Sequence, residues 1–182
     1  SGDIKISNVD FSYVKDGDLV LNDVSLHIKQ GEYIGLVGSS GCGKSTLLKL
    51  LLGFEKPASG KIFYDARDID SMDKRELRKK MGVVLQDGRL IAGSIFENIT
   101  ISEPGATMAD AEKIAGEVGL ADDIAKMPRG MHTMLSGGGG TRSGGQMQRI
   151  LIARAIVGNP QILYFDEATS ALDNVTQAMV CE

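Results

Sequence analysis

The sequence predicts an α/β fold, and three observations carry that reading. Apolar residues alternate at period two through the first thirty residues, where "IKISNVDFSYV" and "LVLNDVSLHI" flank "KDGD". Two short continuous apolar runs, "EYIGLVG" and "QILYFDE", lie far apart in the chain, and a run of that kind suits a strand buried in a parallel sheet. Between them, from about Ser94 to Val157, helix signals dominate and no strand pattern is convincing.

The elements follow in order. The alternating pair predicts antiparallel strands joined by a turn. "EYIGLVG" predicts a buried strand, and "KSTLLKLLLG" a helix closed by Gly53. "GKIFYDARDI" predicts a second strand pair. Asp73 with Glu76 marks a helix start for "DKRELRKK", and "MGVVLQD" is again a buried-strand pattern. Thr107 with Asp110 predicts a cap ahead of "AEKIAGEVGL". Ser143 and Gln146 have capping-box spacing ahead of "MQRILIARAIV", and Gly158 to Pro160 stop that helix. "QILYFDE" predicts a strand buried on both faces, and a last helix starts near Asp173.

Composition narrows the function classes. With 182 residues, 42% hydrophobic and 24% charged, the chain has the make-up of one ordinary globular domain with a real core. Its 20 Lys and Arg stand against 24 Asp and Glu, a net charge of −4. That balance argues against a nucleic-acid partner, which draws a clustered basic excess. No apolar run approaches the roughly 18 residues of a membrane span, and no signal-peptide pattern opens the chain. A membrane role therefore has to come through a partner or a further part of the same polypeptide. Cys42 and Cys181 form no CxxC pair, so neither a disulfide framework nor a zinc site is indicated, and a reducing compartment is expected.

Gly38 to Ser45 fits G-x-x-x-x-G-K-[ST], after a predicted strand and before a predicted helix. Gly38, Gly41 and Gly43 let backbone N–H groups turn toward a β-phosphate, and the helix N-terminus adds favourable potential. Lys44 is expected at the β- and γ-phosphates, and the Ser45 hydroxyl on Mg2+. Cys42 reads as a tolerated side chain at a free position. Phosphoryl transfer also needs a carboxylate beside the metal. Asp166 at the end of "ILYFDE" suits that role, and Glu167 suits a general base for the attacking water. Together these predict an ATP or GTP site.

"SGGQ" before a basic helix, followed by "ILYFDEATSALD", closely resembles the nucleotide-binding domain of ABC transporters. The resemblance covers essentially the whole chain. It implies that Tyr13 in "FSY" stacks on adenine, and that Gly38, Ser39, Gly41, Cys42, Gly43, Lys44, Ser45 and Thr46 form the Walker A loop. Gln86 in "VLQD" matches the glutamine that meets Mg2+ and water. Ser143, Gly144, Gly145 and Gln146 match the signature, Asp166 and Glu167 end the Walker B strand, and Ser170 to Asp173 match the D-loop. "QDGRLIAGSIFENI" looks like the exporter branch, especially the bacteriocin and peptide exporters. The implied partners are a second such domain, stacked head to tail so that each signature completes the other's phosphate site, and a transmembrane domain, giving a place on the cytoplasmic face of the membrane.

The implied architecture is a single domain over 1–182: a P-loop core sheet with an N-terminal antiparallel β-subdomain, 1–86 and 158–182, and an inserted helical subdomain, 87–157. Departures stand beside the matches. Arg142 occupies the usual leucine position of the signature, Gly137 the position of an upstream acid, and Met147 a basic position. No histidine follows Walker B; His27 and His132 both lie upstream. The chain therefore reads as lacking the family's C-terminal end. Three rivals remain: a soluble ABC ATPase, a P-loop kinase, which would lack "SGGQ" and "SALD", and a module that holds ATP without turning it over.

Overall fold

The computed structural model describes residues 2–85, 87–136 and 144–166. It is a mixed α/β chain that divides into two compact units, Ser1–Arg78 and Lys79–Glu182.

The first unit is built on an antiparallel sheet in the order β2-β1-β3-β4, with β1 Ile4–Phe11, β2 Leu21–Ile28, β3 Ser59–Tyr64 and β4 Arg67–Asp68. The alternation seen in the sequence becomes a buried face: Ile4, Ile6, Val9, Phe11 and Ile62 are all buried. The register is Ile4↔Ile28 against β2 and Ile6↔Ile62 against β3; the β2 ladder shifts between Ile6 and Val9 and again between Val9 and Phe11, the β3 ladder between Ser7 and Asp10. Side chains hold that irregularity. Asn8 Nδ2 donates to Asp23 Oδ1 at 2.7 Å, and Asp10 accepts from Ser59 Oγ at 2.6 Å and from the Asp23 N–H at 2.7 Å. These donors hold the Asp10 carboxyl below the usual carboxylate range, Ser59 most strongly.

Helix α1, Lys44–Leu51, buries Thr46, Leu47, Leu48, Leu50 and Leu51. Its last turn is tied to the sheet by the buried Tyr64 hydroxyl, which donates to the Leu51 carbonyl at 2.8 Å. The expected strand pair of "GKIFYDARDI" is present as β3 and β4, and Gly53 follows α1 as predicted. Helix α2, Lys74–Lys79, begins where Asp73 Oδ1 accepts from the Arg75 and Glu76 N–H groups.

One expectation fails here. Residues 32–38, read as a buried strand, have no regular secondary structure, and Tyr33, Ile34, Leu36 and Val37 are exposed, Val37 to 96%. An apolar run is buried as a central strand only when neighbours supply ladder partners on both sides, and among the described residues none pairs with this run.

The second unit joins a short parallel sheet to helices. Strand β5, Met81–Val84, pairs with β8, Ile162–Phe165, in the register Met81↔Ile162 to Val84↔Phe165. Helix α6, Gly144–Ile156, packs on β5 so closely that a Cβ on Gly82 would stand 2.3 Å from the Ala155 carbonyl oxygen. With α3 Ile95–Thr100, α4 Met108–Glu117 and α5 Ala121–Ala125, α6 encloses a core that includes Leu90, Ile99, Ala111, Val118, Leu120 and Ile150.

Caps set the helix starts. Ser94 and Glu97 form a capping box for α3, and Thr107 and Asp110 one for α4. Two corrections belong to this unit. Gly93–Ser94 (β6) and Met134–Leu135 (β7) form an antiparallel pair inside the segment read as strand-free. Strand β8 is not buried on both faces: Leu163 and Phe165 are exposed, because among the described residues only β5 pairs with it. The compact division falls at Arg78/Lys79, with β5, β8 and these helices in one unit.

Candidate functional site

The phosphate loop lies in the first unit, between the run 32–38 and α1. Gly43 is the N-cap of α1 with φ of 100°, a left-handed conformation that favours glycine. A Cβ there would also be crowded, 2.8 Å from Leu21 Cδ2 and 3.1 Å from the Val20 carbonyl oxygen. At Gly38 a Cβ would meet Cys42 Sγ at 2.6 Å, so the cysteine closes the loop's inner curve while remaining exposed itself. The Cys42 N–H donates to the Ser39 carbonyl, which tightens the turn. Lys44 folds back across the loop, its ammonium donating to the carbonyls of Gly38 at 2.8 Å and Ser39 at 2.9 Å.

No side chain caps α1, and no acid stands in its first turn. The N-terminal N–H groups of a helix so arranged, beside a cation, favour an anion. The loop therefore fits a phosphate group, with Lys44 able to exchange two carbonyls for phosphate oxygens. Ser45 and Thr46 lie in that first turn, Ser45 exposed and Thr46 buried.

Tyr13 stands over the same helix. Its hydroxyl is hydrogen-bonded to Thr46 Oγ1 at 3.0 Å, and its ring meets Phe11 edge-on, with centroids 4.9 Å apart at 86°. Lys49 Nζ lies 3.5 Å from the hydroxyl and 5.5 Å from the ring centroid. The ring stays half exposed. Phe11 and Lys49 were not singled out in the sequence. The available signal was spacing: Phe11 and Tyr13 share one side of an extended segment, and Lys49 is one turn beyond Thr46.

In the second unit, parallel pairing puts the carboxyl ends of β5 and β8 side by side, and the Asp166 N–H donates to the Val84 carbonyl at 2.9 Å. Asp166 thus stands half-buried at the end of its strand, as the sequence predicted. Gly144, Gly145 and Gln146 form the first turn of α6. A Cβ on Gly144 or Gly145 would meet nothing within 4 Å, and neither has a positive φ. Among the described residues, then, neither space nor backbone conformation requires glycine there. Gln86, Gly137, Arg142, Ser143, Glu167, the stretch Ser170 to Asp173 and Cys181 lie outside the described residues.

A polar network holds the segment between β5 and α3. Asn98, fully buried, donates to the carbonyls of Ile91 and Ser94 and accepts from the Ile91 N–H. Arg154 of α6 donates to the Asn98 carbonyl and Oδ1, both at 2.8 Å, and to the Arg89 carbonyl at 3.1 Å. Nothing in "FEN" signals this role for Asn98, because its partners are chosen by tertiary contact.

Known proteins bear on this arrangement. A family model described as "ABC transporter" matches residues 21–170. The alpha-hemolysin translocation ATP-binding protein HlyB of Escherichia coli O157:H7 is 46% identical over 179 residues, 98% of this chain and 25% of that protein. The leukotoxin translocation ATP-binding protein LktB of Mannheimia glucosida is 48% identical over 181 residues, 100% of this chain and 26% of that protein. The chain thus spans about a quarter of the length of these relatives. A solved structure, of a bacterial Atm1-family ABC exporter with ATP bound, superposes with a TM-score of 0.91 at 38% identity, covering 99% of this chain and 31% of that one. The chain belongs to the ABC transporter family, as an ATP-binding domain of the exporter type.

Proposed function

We propose that the chain binds ATP with Mg2+ and hydrolyses it as the motor domain of an exporter. The observation that carries this is the Lys44 ammonium folded over the Gly38 and Ser39 carbonyls at the uncapped start of α1. That arrangement has the right charge and donors for a triphosphate. Mg2+ held there would neutralise negative charge on the phosphate oxygens. Ser45, Gln86 and Asp166 are the proposed ligands, a hydroxyl, a carboxamide and a carboxylate, all hard oxygen donors suited to that ion.

Lys44 holds the γ-phosphate, Tyr13 supports the base, and Glu167 takes the proton of the attacking water. Ser143, Gly144, Gly145 and Gln146 of a second copy close the site, stacked head to tail, with Asp173 at the same contact. Two glycines add backbone freedom that folding must remove, yet nothing described within the chain needs them. Approach by a partner's nucleotide supplies a reason. The segment after Gln86, pinned to α6 through Arg154, is placed by this reading against a transmembrane domain of the same polypeptide at the cytoplasmic face of the membrane. The helical part is taken as 87–157. Relatives named for hemolysin and leukotoxin translocation support a polypeptide cargo, of which a bacteriocin is one kind.

Sedimentation of Glu167→Gln with and without Mg-ATP tests this reading. An ATP-dependent dimer is expected. A monomer that still binds ATP overturns the shared site, and failure to bind ATP overturns the nucleotide assignment itself.

A further inference from the structure

Tyr13 is held at three points. Phe11 meets its edge, Thr46 Oγ1 bonds its hydroxyl at 3.0 Å, and Lys49 Nζ sits 3.5 Å from that hydroxyl and 5.5 Å from the ring centroid. Thr46 lies in the first turn of α1, directly after the phosphate loop, and is buried. The ring is therefore referenced to the phosphate loop through one hydroxyl–hydroxyl contact and one lysine on the same helix. Resting on the reading of Tyr13 as the base platform, we infer that Thr46 and Lys49 are positioning residues for it. They fix the distance between base and phosphates and so set the preference for nucleotides over bare polyphosphate.

The physical reason is preorganisation. A tyrosine 52% exposed at the start of a loop would otherwise lose rotamer freedom each time a base stacked on it, and that loss reduces affinity. The two polar anchors remove that cost before the ligand arrives. Lys49 Nζ stands at the hydroxyl end of the ring, 3.5 Å from the oxygen and 5.5 Å from the centroid, which leaves the ring faces to the base. Phosphate binding needs neither the Tyr13 hydroxyl nor the Lys49 ammonium, because Lys44 and the α1 N-terminus supply it.

Titration of the full chain with ATP and with inorganic tripolyphosphate tests the inference. Tyr13→Phe and Lys49→Met are expected to weaken ATP about three- to tenfold, the worth of one lost hydrogen bond, with tripolyphosphate unchanged. Lys49→Arg keeps the cation and is expected to restore most of the ATP affinity. Tyr13→Ala separates the two readings. If it leaves the ratio of ATP to tripolyphosphate affinity unchanged, Tyr13 is not the platform and the inference falls with it. If Tyr13→Ala lowers that ratio while Tyr13→Phe and Lys49→Met bind ATP like the parent, the platform stands and the positioning role is wrong. Equal weakening of both ligands by Lys49→Met also overturns it, since Lys49 would then act on the phosphates.

Discussion

Replacing Gly82 by alanine adds one methyl group to the strand that pairs with the Asp166 strand. The new Cβ would stand 2.3 Å from the Ala155 carbonyl oxygen and 2.5 Å from Leu163 Cδ2. Optimal separations begin at about 3.5 Å, so α6 and β5 must part by about 1 Å. Leu163 is a flexible side chain and can give way, whereas the Ala155 carbonyl is helix backbone and cannot move alone. Overpacking of this kind costs about 1–3 kcal/mol. The alanine recovers part of that, about 0.5–1 kcal/mol, by restricting the unfolded chain. The expected net loss is about 1–2 kcal/mol, read as a lower urea midpoint by circular dichroism. Gly116→Ala is the control: Gly116 is a helical glycine in α4 with nothing within 4 Å of a built Cβ, so the same change there should stabilise by about 0.5–1 kcal/mol. If Gly82→Ala unfolds at or above the parental midpoint, the close approach of α6 to β5 is wrong, and with it the placement of the strand end that carries Asp166.

Two further outcomes follow from other contacts. Glu97 is held below the usual glutamate range, first by the Ser94 N–H and then by the Ser94 hydroxyl, and Asp110 likewise by the Thr107 hydroxyl and then its N–H. A depressed folded pKa gives stability that is present above the unfolded value and lost as pH falls through the folded one, so the urea midpoint should drop from about pH 5 toward pH 2. Glu97→Gln should flatten that drop, and an unchanged pH profile would refute its share. Arg154→Lys replaces a fork that reaches the Asn98 carbonyl, Asn98 Oδ1 and the Arg89 carbonyl with one ammonium that cannot serve all three. A loss of about 1–3 kcal/mol is expected, and an unchanged midpoint would show that the network adds no stability.

Local chemistry was legible in the sequence wherever the partner lies a few residues away. The Thr107–Asp110 box, the Asp73 start of α2, the end of α1 at Gly53 and the hairpin of β3 and β4 all depend on spacing within one turn or one loop, and each is present. The phosphate loop belongs to the same class, because Gly38, Gly43 and Lys44 act within seven residues. Period-two alternation likewise sufficed for β1 and β2, since one buried face imposes it.

Tertiary structure alone decided the rest. Apolarity marks 32–38 and 162–165 equally as strands, but a strand exists only where another backbone supplies its hydrogen bonds, and only the second run has such a partner, β5, among the described residues. Two residues at Gly93–Ser94 are too few for any period to reveal, and their pairing with Met134–Leu135 is set by the chain between them. The same reason hid Lys49 and Asn98. A lysine on an exposed helix face and an asparagine in a helix look ordinary in sequence, and their roles appear only when the fold brings Tyr13 to one and Arg154 to the other. Motifs recur because their contacts are short-range, while the groups that position them are chosen by the fold.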